Sequence, residues 1–403
     1  MREILVALIA GRSALELYTD VELGAYRLNV PSLFGLALLG LAVWLLIQRG
    51  RTLSWHPLLS GWVVWLVALV PSVVVGLWLH GSQGLFGVRE WIRLLSIPGV
   101  FLVAYNLLPR QGWRSGTDLL LLVLAVPLAA AIVQMVLQTG TTAFGGHRVM
   151  GTLFHPNSLS LFLVFFLGLS YRKARESGGW FWLMLIAVQL LVFVATLSLS
   201  GLLTLAGLGC WIFLREDARG RVLLLGLAVL LAVLLGTNEE ARTKMQTMQS
   251  FAPAKIRDSI QIQEGEHVDS LGWRYHNWSQ LVSVWRLRPL LGWGLNQSQF
   301  VNPLKQSGIG YAPHNDLLRS LVETGVLGLV AYGAFVCFCG YQMLRTAWPR
   351  QAGVSLAWIL TGVFLVSQAN SLGDNVIASS TFQLCLWSAW GFELRRRLAS
   401  PAI

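Results

Sequence analysis

The chain has 403 residues, of which 55% are hydrophobic and only 12% charged, and its mean hydropathy is +0.61. A composition this apolar excludes an ordinary soluble domain and points to a polytopic membrane protein. The formal net charge of +11 invites a nucleic-acid reading, but the basic residues follow the alternation of loops between apolar stretches, so membrane lipids are expected as partners and nucleic acid is not.

Crossing about 30 Å of hydrocarbon takes roughly 20 apolar residues per helix. Spans are predicted at 28–48, 58–79, 91–108, 118–137, 153–170, 180–196, 198–214, 221–236, 319–343, 354–370 and 377–393. Residues 3–18 begin apolar and are then broken by Arg12, Glu16 and, just beyond, Asp20. They read as a twelfth, short or tilted helix rather than a cleaved leader, because the n-region is weak and another apolar stretch soon follows. The expected architecture is an all-α polytopic membrane protein of about twelve transmembrane helices. It divides into residues 1–236 with about nine helices, a polar, largely helical loop domain over 237–318, and three C-terminal helices with a tail over 319–403. Cys210, Cys337, Cys339 and Cys385 all fall in apolar spans, which excludes disulfides across the polar insert and suggests neither a zinc site nor a redox pair.

Lys and Arg collect in cytoplasmic loops. Alternate loops carry Arg49 and Arg51; Arg110 and Arg114; Arg172, Lys173 and Arg175; Arg215, Arg219 and Arg221; Arg345 and Arg350; and the tail Arg395-Arg396-Arg397. The opposite short loops hold little beyond Arg89 and Arg148. The tail is therefore expected in the cytoplasm, and the segments 139–153 and 237–318 toward the periplasm or cell exterior. This alternation requires 180–196 and 198–214 to be separate helices joined by a tight turn near Ser198.

The outward side holds the chemistry. One loop reads His147-Arg148-Val149-Met150-Gly151-Thr152-Leu153-Phe154-His155-Pro156-Asn157, with Asn157 or Ser158 placed to cap the next helix. An outward arginine runs against the loading bias, and a guanidinium fork matches phosphate or carboxylate; Arg148 and Arg274 could together hold a diphosphate. Simpler readings stand beside this one. Arg148 could snorkel or cap a helix near the headgroups, and Arg274, within Trp273-Arg274-Tyr275-His276-Asn277-Trp278, could stack on tryptophan. Arg286 and Arg288 flank an apolar stretch as interfacial anchors, with Arg288 kept as a phosphate candidate beside Arg89 and Arg93 at the entrance of the third span. Trp273, Trp278, Trp285 and Trp293 suit a membrane-interface floor.

His314 precedes Asn315-Asp316, which have the character of a cap and first turn. It reads either as a structural histidine or, at the outward mouth of a membrane helix, as a neutral imidazole able to accept a proton, with Asn315 beside it as a substrate contact. The acids Asp258, Glu264, Glu266 and Asp269 lie scattered, without metal-ligand spacing. No metal or other cofactor is expected. The spans lack the buried Asp, Glu or Lys that mark ion-coupled transport, Arg93 near a span end being the exception, and no phosphate-binding Walker loop is present.

The pattern Arg148-x-x-Gly151-Thr152-x-x-x-Pro156-Asn157, then Gly272-Trp273-Arg274, then Pro289-Leu290-Leu291-Gly292-Trp293-Gly294, then His314-Asn315-Asp316 with Glu323-x-Gly325, resembles the O-antigen ligase and polymerase superfamily of bacterial envelope enzymes. The resemblance covers about residues 140–340. It implies a GT-C-like, metal-independent membrane glycosyltransferase with one large periplasmic loop, using an undecaprenyl-diphosphate-linked glycan as donor. Ligases of this kind transfer the glycan to the lipid A–core, polymerases extend it, and relatives pass it to protein. By motif, the junction histidine carries over to His314 and the loop arginine to Arg274. One departure stands out: the family's Ser-Arg-Gly at a helix start is Leu197-Ser198-Leu199-Ser200-Gly201 here, with no arginine, so its role passes to Arg148 or is dispensable. A lipid-linked glycan transporter, the alternative of another class, predicts a charged path and pseudo-symmetric halves, and the chain displays neither pattern.

Overall fold

The computed structural model describes residues 1–20, 22–23, 28–107, 116–141, 147–243, 270–306, 309–348 and 354–399. Asp258, Glu264, Glu266, His267 and Asp269, together with Arg110, Arg114 and Arg350, lie outside them. Each predicted apolar stretch is helical: α1 (Arg2–Ala14), α2 (Val30–Arg49), α3 (Pro57–Ala68), α4 (Val70–His80), α5 (Leu85–Asn106), α6 (Gly116–Leu120), α7 (Ala125–Val136), α8 (Pro156–Ser177), α9 (Trp180–Ala195), α10 (Leu199–Phe213) and α11 (Ala218–Thr237). The polar insert contributes α12 (Ser270–Arg286) and α13 (Ser298–Val301), and the chain closes with α14 (Asp316–Ala347), α15 (Leu356–Asn370) and α16 (Ser380–Ala399). Among the described residues, β structure is limited to two antiparallel ribbons, Glu22–Leu23 with Leu28–Asn29 and Lys305–Gln306 with Ile309–Gly310, and one isolated bridge between Thr141 and Arg148.

Burial, rather than hydropathy, marks the central helices. The middle of α8, Leu159–Tyr171, is buried all round, as are α5 from Ser96 to Asn106 and α16 from Ser380 to Leu394. Close approach of α5 and α16 depends on small residues: a Cβ at Gly391 would lie 2.7 Å from Ala104 Cβ. Beside them Trp62, Trp65, Phe335 and Trp387 form an aromatic cluster, with Trp62 4.7 Å from Phe335 and 5.2 Å from Trp387, centroid to centroid.

The periphery is equally apolar. Ile47 (76% exposed), Trp78 (77%) and Val222 (70%) point away from the bundle on α2, α4 and α11, a surface that water would penalise and acyl chains would not. Among the described residues, five stretches are long and apolar enough to cross a membrane: Val30–Arg49, Pro57–Asn106, Gly116–Val136, Ala218–Thr237 and Asp316–Ala347. Trp180–Ala195, Leu199–Phe213 and Leu356–Asn370 are shorter apolar helices. The architecture is that of an all-α membrane protein.

The two ends of the bundle differ. At one end Lys173 pairs with Asp118 at 2.5 Å, Arg175 with Asp217 at 2.7 Å, Arg215 donates to the Ala347 carbonyl at 2.8 Å, and Arg397 to that of Thr346 at 2.8 Å. Arginine at helix C-termini completes carbonyls the helices leave open. The opposite end carries the N-termini of α8, α14 and α16, and the described part of the insert, from α12 onward, packs against it.

One device fixes the insert to the bundle. α14 breaks at Gly325, whose φ is +66°, and the break frees backbone groups that a helix would otherwise pair. The segment Pro289–Gly294 takes them. Trp293 and Gly294 donate to the carbonyls of Val322 (3.0 Å) and Glu323 (2.9 Å), while Val326 donates to Pro289 at 2.8 Å. Ser72 of α4 adds a hydrogen bond to the Glu323 carbonyl at 2.8 Å, and Leu295 donates to the Ser72 carbonyl at 3.3 Å. A Cβ on Gly292 would stand 2.5 Å from the Glu323 backbone, and one on Gly294 would strike Gly76. The Gly-Trp-Gly run and the Glu-x-Gly of α14 are therefore two halves of one joint.

Candidate functional site

His314 is the last residue before the Asn315 cap of α14, and it is left-handed, with φ +49°. Histidine is one of the few non-glycine residues enriched there, but holding such a conformation costs on the order of 1–3 kcal/mol. The preceding chain is clamped by α12. Asn277 Nδ2 donates to the Ala312 carbonyl at 3.0 Å, and Trp278 Nε1 donates to that of Pro313 at 2.7 Å. Trp273 packs edge-on against Tyr311 and stands 6.1 Å from His314.

On its other side His314 meets the loop between α15 and α16. Asn315 Nδ2 donates to the Leu372 carbonyl (2.9 Å), Asp316 N to that of Ser371 (2.9 Å), and Ile377 N to Asp316 Oδ2 (2.9 Å). These bonds deliver Asp374, whose Oδ1 lies 3.4 Å from His314 Nδ1. Burial alone would raise the Asp374 carboxyl; the hydrogen bond and charge of His314 and the Asn375 amide outweigh it and bring the pKa down to about 2. Arg274 Nη1 donates to the Gly373 carbonyl at 2.6 Å, so α12 brings a guanidinium to the same loop.

The third contribution comes from the loop before α8. Gln134 clamps it, accepting from the amides of Met150 (3.0 Å) and Gly151 (2.9 Å). Arg148, 5% exposed, donates from Nε to the Thr196 carbonyl and from Nη2 to Asn157 Oδ1, both at 2.9 Å. Burial lowers its pKa to about 10, opposed by Asp374 and aided by Arg274. Burial likewise lowers Arg274, again opposed by Asp374. Both guanidiniums thus sense one carboxylate. His155, not Asn157 or Ser158, supplies the α8 cap: its Nδ1 accepts from the Asn157 amide at 3.1 Å. The Asn157 side chain is occupied by Arg148 instead. His155 stands 6.1 Å from His314, ring to ring.

The other residues singled out in the sequence are held elsewhere or act locally. Asn315 Oδ1 accepts from the Leu318 amide at 2.9 Å, an N-cap that fixes the residue beside His314. Arg93 forms a two-point pair with Glu90 at 2.6 and 2.8 Å and donates to Ser380 at 2.7 Å; Arg89 reaches Ser32 at 3.4 Å. Arg288 stacks over Trp293, 5.0 Å from the ring centroid. Trp278, Trp285 and Trp293 each turn their indole N–H onto a backbone carbonyl.

Sequence reasoning passed over Asp374, the role of His155, and Arg319. Arg319 joins Glu90 (2.9 Å), Glu323 (3.1 Å) and Asn296 (3.1 Å), while Ser298 donates to Glu323 at 2.6 Å. Asp374 had a signal, since it is the one acid in the loop between α15 and α16. Arg319 and Glu323 had one too, being spaced i,i+4. Among the described residues, no three His, Cys, Asp or Glu side chains gather as a metal site requires.

Compared with known proteins, the O-antigen ligase family model matches residues 182–333, from α9 into α14. Over those residues the chain is similar to the O-antigen ligase family. No curated protein matches it in sequence. The matched stretch contains Arg274, His314 and Asn315. Arg148, His155 and Asp374 reach the same place from outside it. Members of that family are ligases and glycosyltransferase-like enzymes, and the match together with the apolar helices supports a membrane-bound enzyme in general.

Proposed function

We propose that the protein is an inverting glycosyltransferase that moves an O-antigen glycan from undecaprenyl diphosphate to the lipid A–core oligosaccharide. In this reading it is a GT-C-like protein of twelve spans in the bacterial inner membrane. Residues 237–318 form its periplasmic loop domain, the site faces the periplasm, and the C-terminus lies in the cytoplasm. The observation that carries it is the meeting of one imidazole, one carboxylate and two guanidiniums at the end of the bundle remote from the basic loops.

Nδ1–H of His314 donates to Asp374, which leaves Nε2 as the lone-pair nitrogen. An acceptor hydroxyl would give its proton to Nε2 as its oxygen attacks the anomeric carbon from the face opposite the diphosphate. The anomeric C–O bond breaks, its electron pair leaves with undecaprenyl diphosphate, and the configuration inverts. Charge grows on that diphosphate. Arg274 and Arg148 oppose it with fixed, pre-oriented positive groups, the form of stabilisation that dominates many active sites. Arg148 retains Nη1 for this task, its other nitrogens being anchored on Thr196 and Asn157. Its contact with Thr196 sets it beside the start of α10, where relatives carry the Ser-Arg-Gly arginine that this chain lacks.

The test is transfer in vitro with purified enzyme, carrier-linked glycan and rough lipopolysaccharide. Glycan on the lipid A–core, undiminished in EDTA, is the expected product. Polymerised glycan left on the carrier would instead assign the chain to the polymerases, a glycosylated protein to the protein oligosaccharyltransferases, and loss restored by Mg²⁺ or Mn²⁺ would overturn the metal-free chemistry.

A further inference from the structure

The two nitrogens of His155 stand in different situations. Nδ1 accepts from the Asn157 amide at 3.1 Å. A backbone N–H only donates, so Nδ1 carries the lone pair and the ring proton sits on Nε2. That tautomer is set by the fold rather than by solvent. No described residue accepts a hydrogen bond from Nε2, although the ring lies 6.1 Å from His314. Burial, followed by the charges of Arg148, His314 and Arg274, lowers the pKa to about 4 against the pull of Asp374, so the ring is uncharged at neutral pH. The side chain that anchors Arg148, Asn157, belongs to the same residue whose amide fixes His155. The neutral donor and the buried guanidinium are thus set by one turn of chain.

We infer that His155 Nε2–H is a further donor to the substrate diphosphate, meeting a phosphate oxygen held between Arg148 and Arg274. The inference rests on the diphosphate reading above. Its chemistry is distinct from that of the arginines. Guanidinium charge attracts the anion from several directions, whereas a neutral N–H of fixed tautomer selects one oxygen and keeps the diphosphate in register with His314 without adding a proton that could be lost.

Two substitutions separate the nitrogens, because an asparagine amide replaces Nδ1 and a glutamine amide reaches toward the position of Nε2. His155→Asn keeps a good helix cap and removes the donor. His155→Gln keeps a donor and weakens the cap. Calorimetric titration of the detergent-solubilised, full-length protein with inorganic pyrophosphate should give about tenfold weaker binding for His155→Asn, the loss typical of one hydrogen bond to a charged partner, with an unchanged melting temperature. His155→Gln should bind within about threefold of wild type yet melt earlier. Wild-type affinity in His155→Asn, or equal weakening in both variants, overturns the inference and leaves the diphosphate site standing. Absence of pyrophosphate binding by the wild-type protein overturns the diphosphate reading itself, and the inference with it.

Discussion

His314 and Asp374 are sixty residues apart in sequence, yet backbone bonds on either side of each bring them to 3.4 Å, Nδ1 to Oδ1. Asn315 and Asp316 bind the loop that carries the carboxylate, and α12 holds the chain that leads to the imidazole. The pair is the product of two surfaces meeting at the mouth of α14.

General-base assistance is typically worth about 10²–10⁴-fold, so His314→Ala should nearly abolish transfer while the protein still inserts and purifies. Asp374→Asn keeps the shape but lets the ring rotate or change tautomer; a loss on the order of 10²-fold in kcat, with donor KM little changed, is expected. Steady-state kinetics on both variants give the answer, and wild-type kcat in either removes that residue from the mechanism.

Arg148 and Arg274 should differ in what their loss does. Arg148 is buried and ties the α8 loop to the α9–α10 turn, so Arg148→Ala forfeits two charge-assisted bonds, each worth about 1.5–3 kcal/mol, and should lower the melting temperature as well as activity. Arg274, with a single hydrogen bond to Gly373, should lose activity with a smaller change in melting. Arg288→Ala, removing a cation stacked on Trp293, should retain transfer. Inactive Arg288→Ala with normal melting would return that residue to the site.

Glu323 is 2% exposed and receives Arg319, Ser298 and the Asn296 amide. Breaking one partner out of a buried ionic network costs about 3–5 kcal/mol. Glu323→Ala should therefore unfold at distinctly lower temperature, and Glu323→Gln should sit between it and wild type. A melting curve unmoved by Glu323→Ala would show that the network contributes little to stability.

Acid sensitivity should have two windows. An unfolded imidazole takes up its proton near pH 6.5, whereas burial holds native His155 down to about 4. Between those values the unfolded chain binds more protons, so this contribution is complete above about pH 6.5 and is lost as pH falls toward 4. Asp374 acts lower: its ordinary value is 3.8 and its native value about 2, so its contribution is complete above 3.8 and disappears toward 2. Thermal melts across pH 7 to 4 should decline in wild type and flatten in His155→Asn. An identical decline in that variant would rule out His155 as its source.

The helices were legible because lipid demands long apolar runs, and each predicted run is helical. Finer features were not. The break between α3 and α4 at Leu69 and the kink at Gly325 lie inside single predicted spans, where hydropathy alone is silent; their local signals are Pro71, at the start of α4, and the glycine itself. Of the candidate site, His314 and Arg274 were readable from their place at helix starts and in an aromatic segment of the polar insert. Asp374 was visible only as the lone acid of the short loop between α15 and α16, which carries no periodicity to say what it faces. Arg93 looked like a phosphate ligand, although Glu90, three residues earlier, already offered a partner one helical turn away. At the α8 start two good capping types stood in line, and the histidine before them took the role once Arg148 had claimed the asparagine.

The joint at Gly325 separates two mechanical regimes. The outer nine residues of α14 are laced through Pro289–Gly294 to α4, whereas the inner part, from Val326 onward, is roughly 33 Å of uninterrupted helix. A bilayer that thickens or thins tilts its helices, and here such a tilt would be taken up at a glycine already free of regular pairing. The imidazole and its carboxylate would keep their spacing while the membrane around them changes.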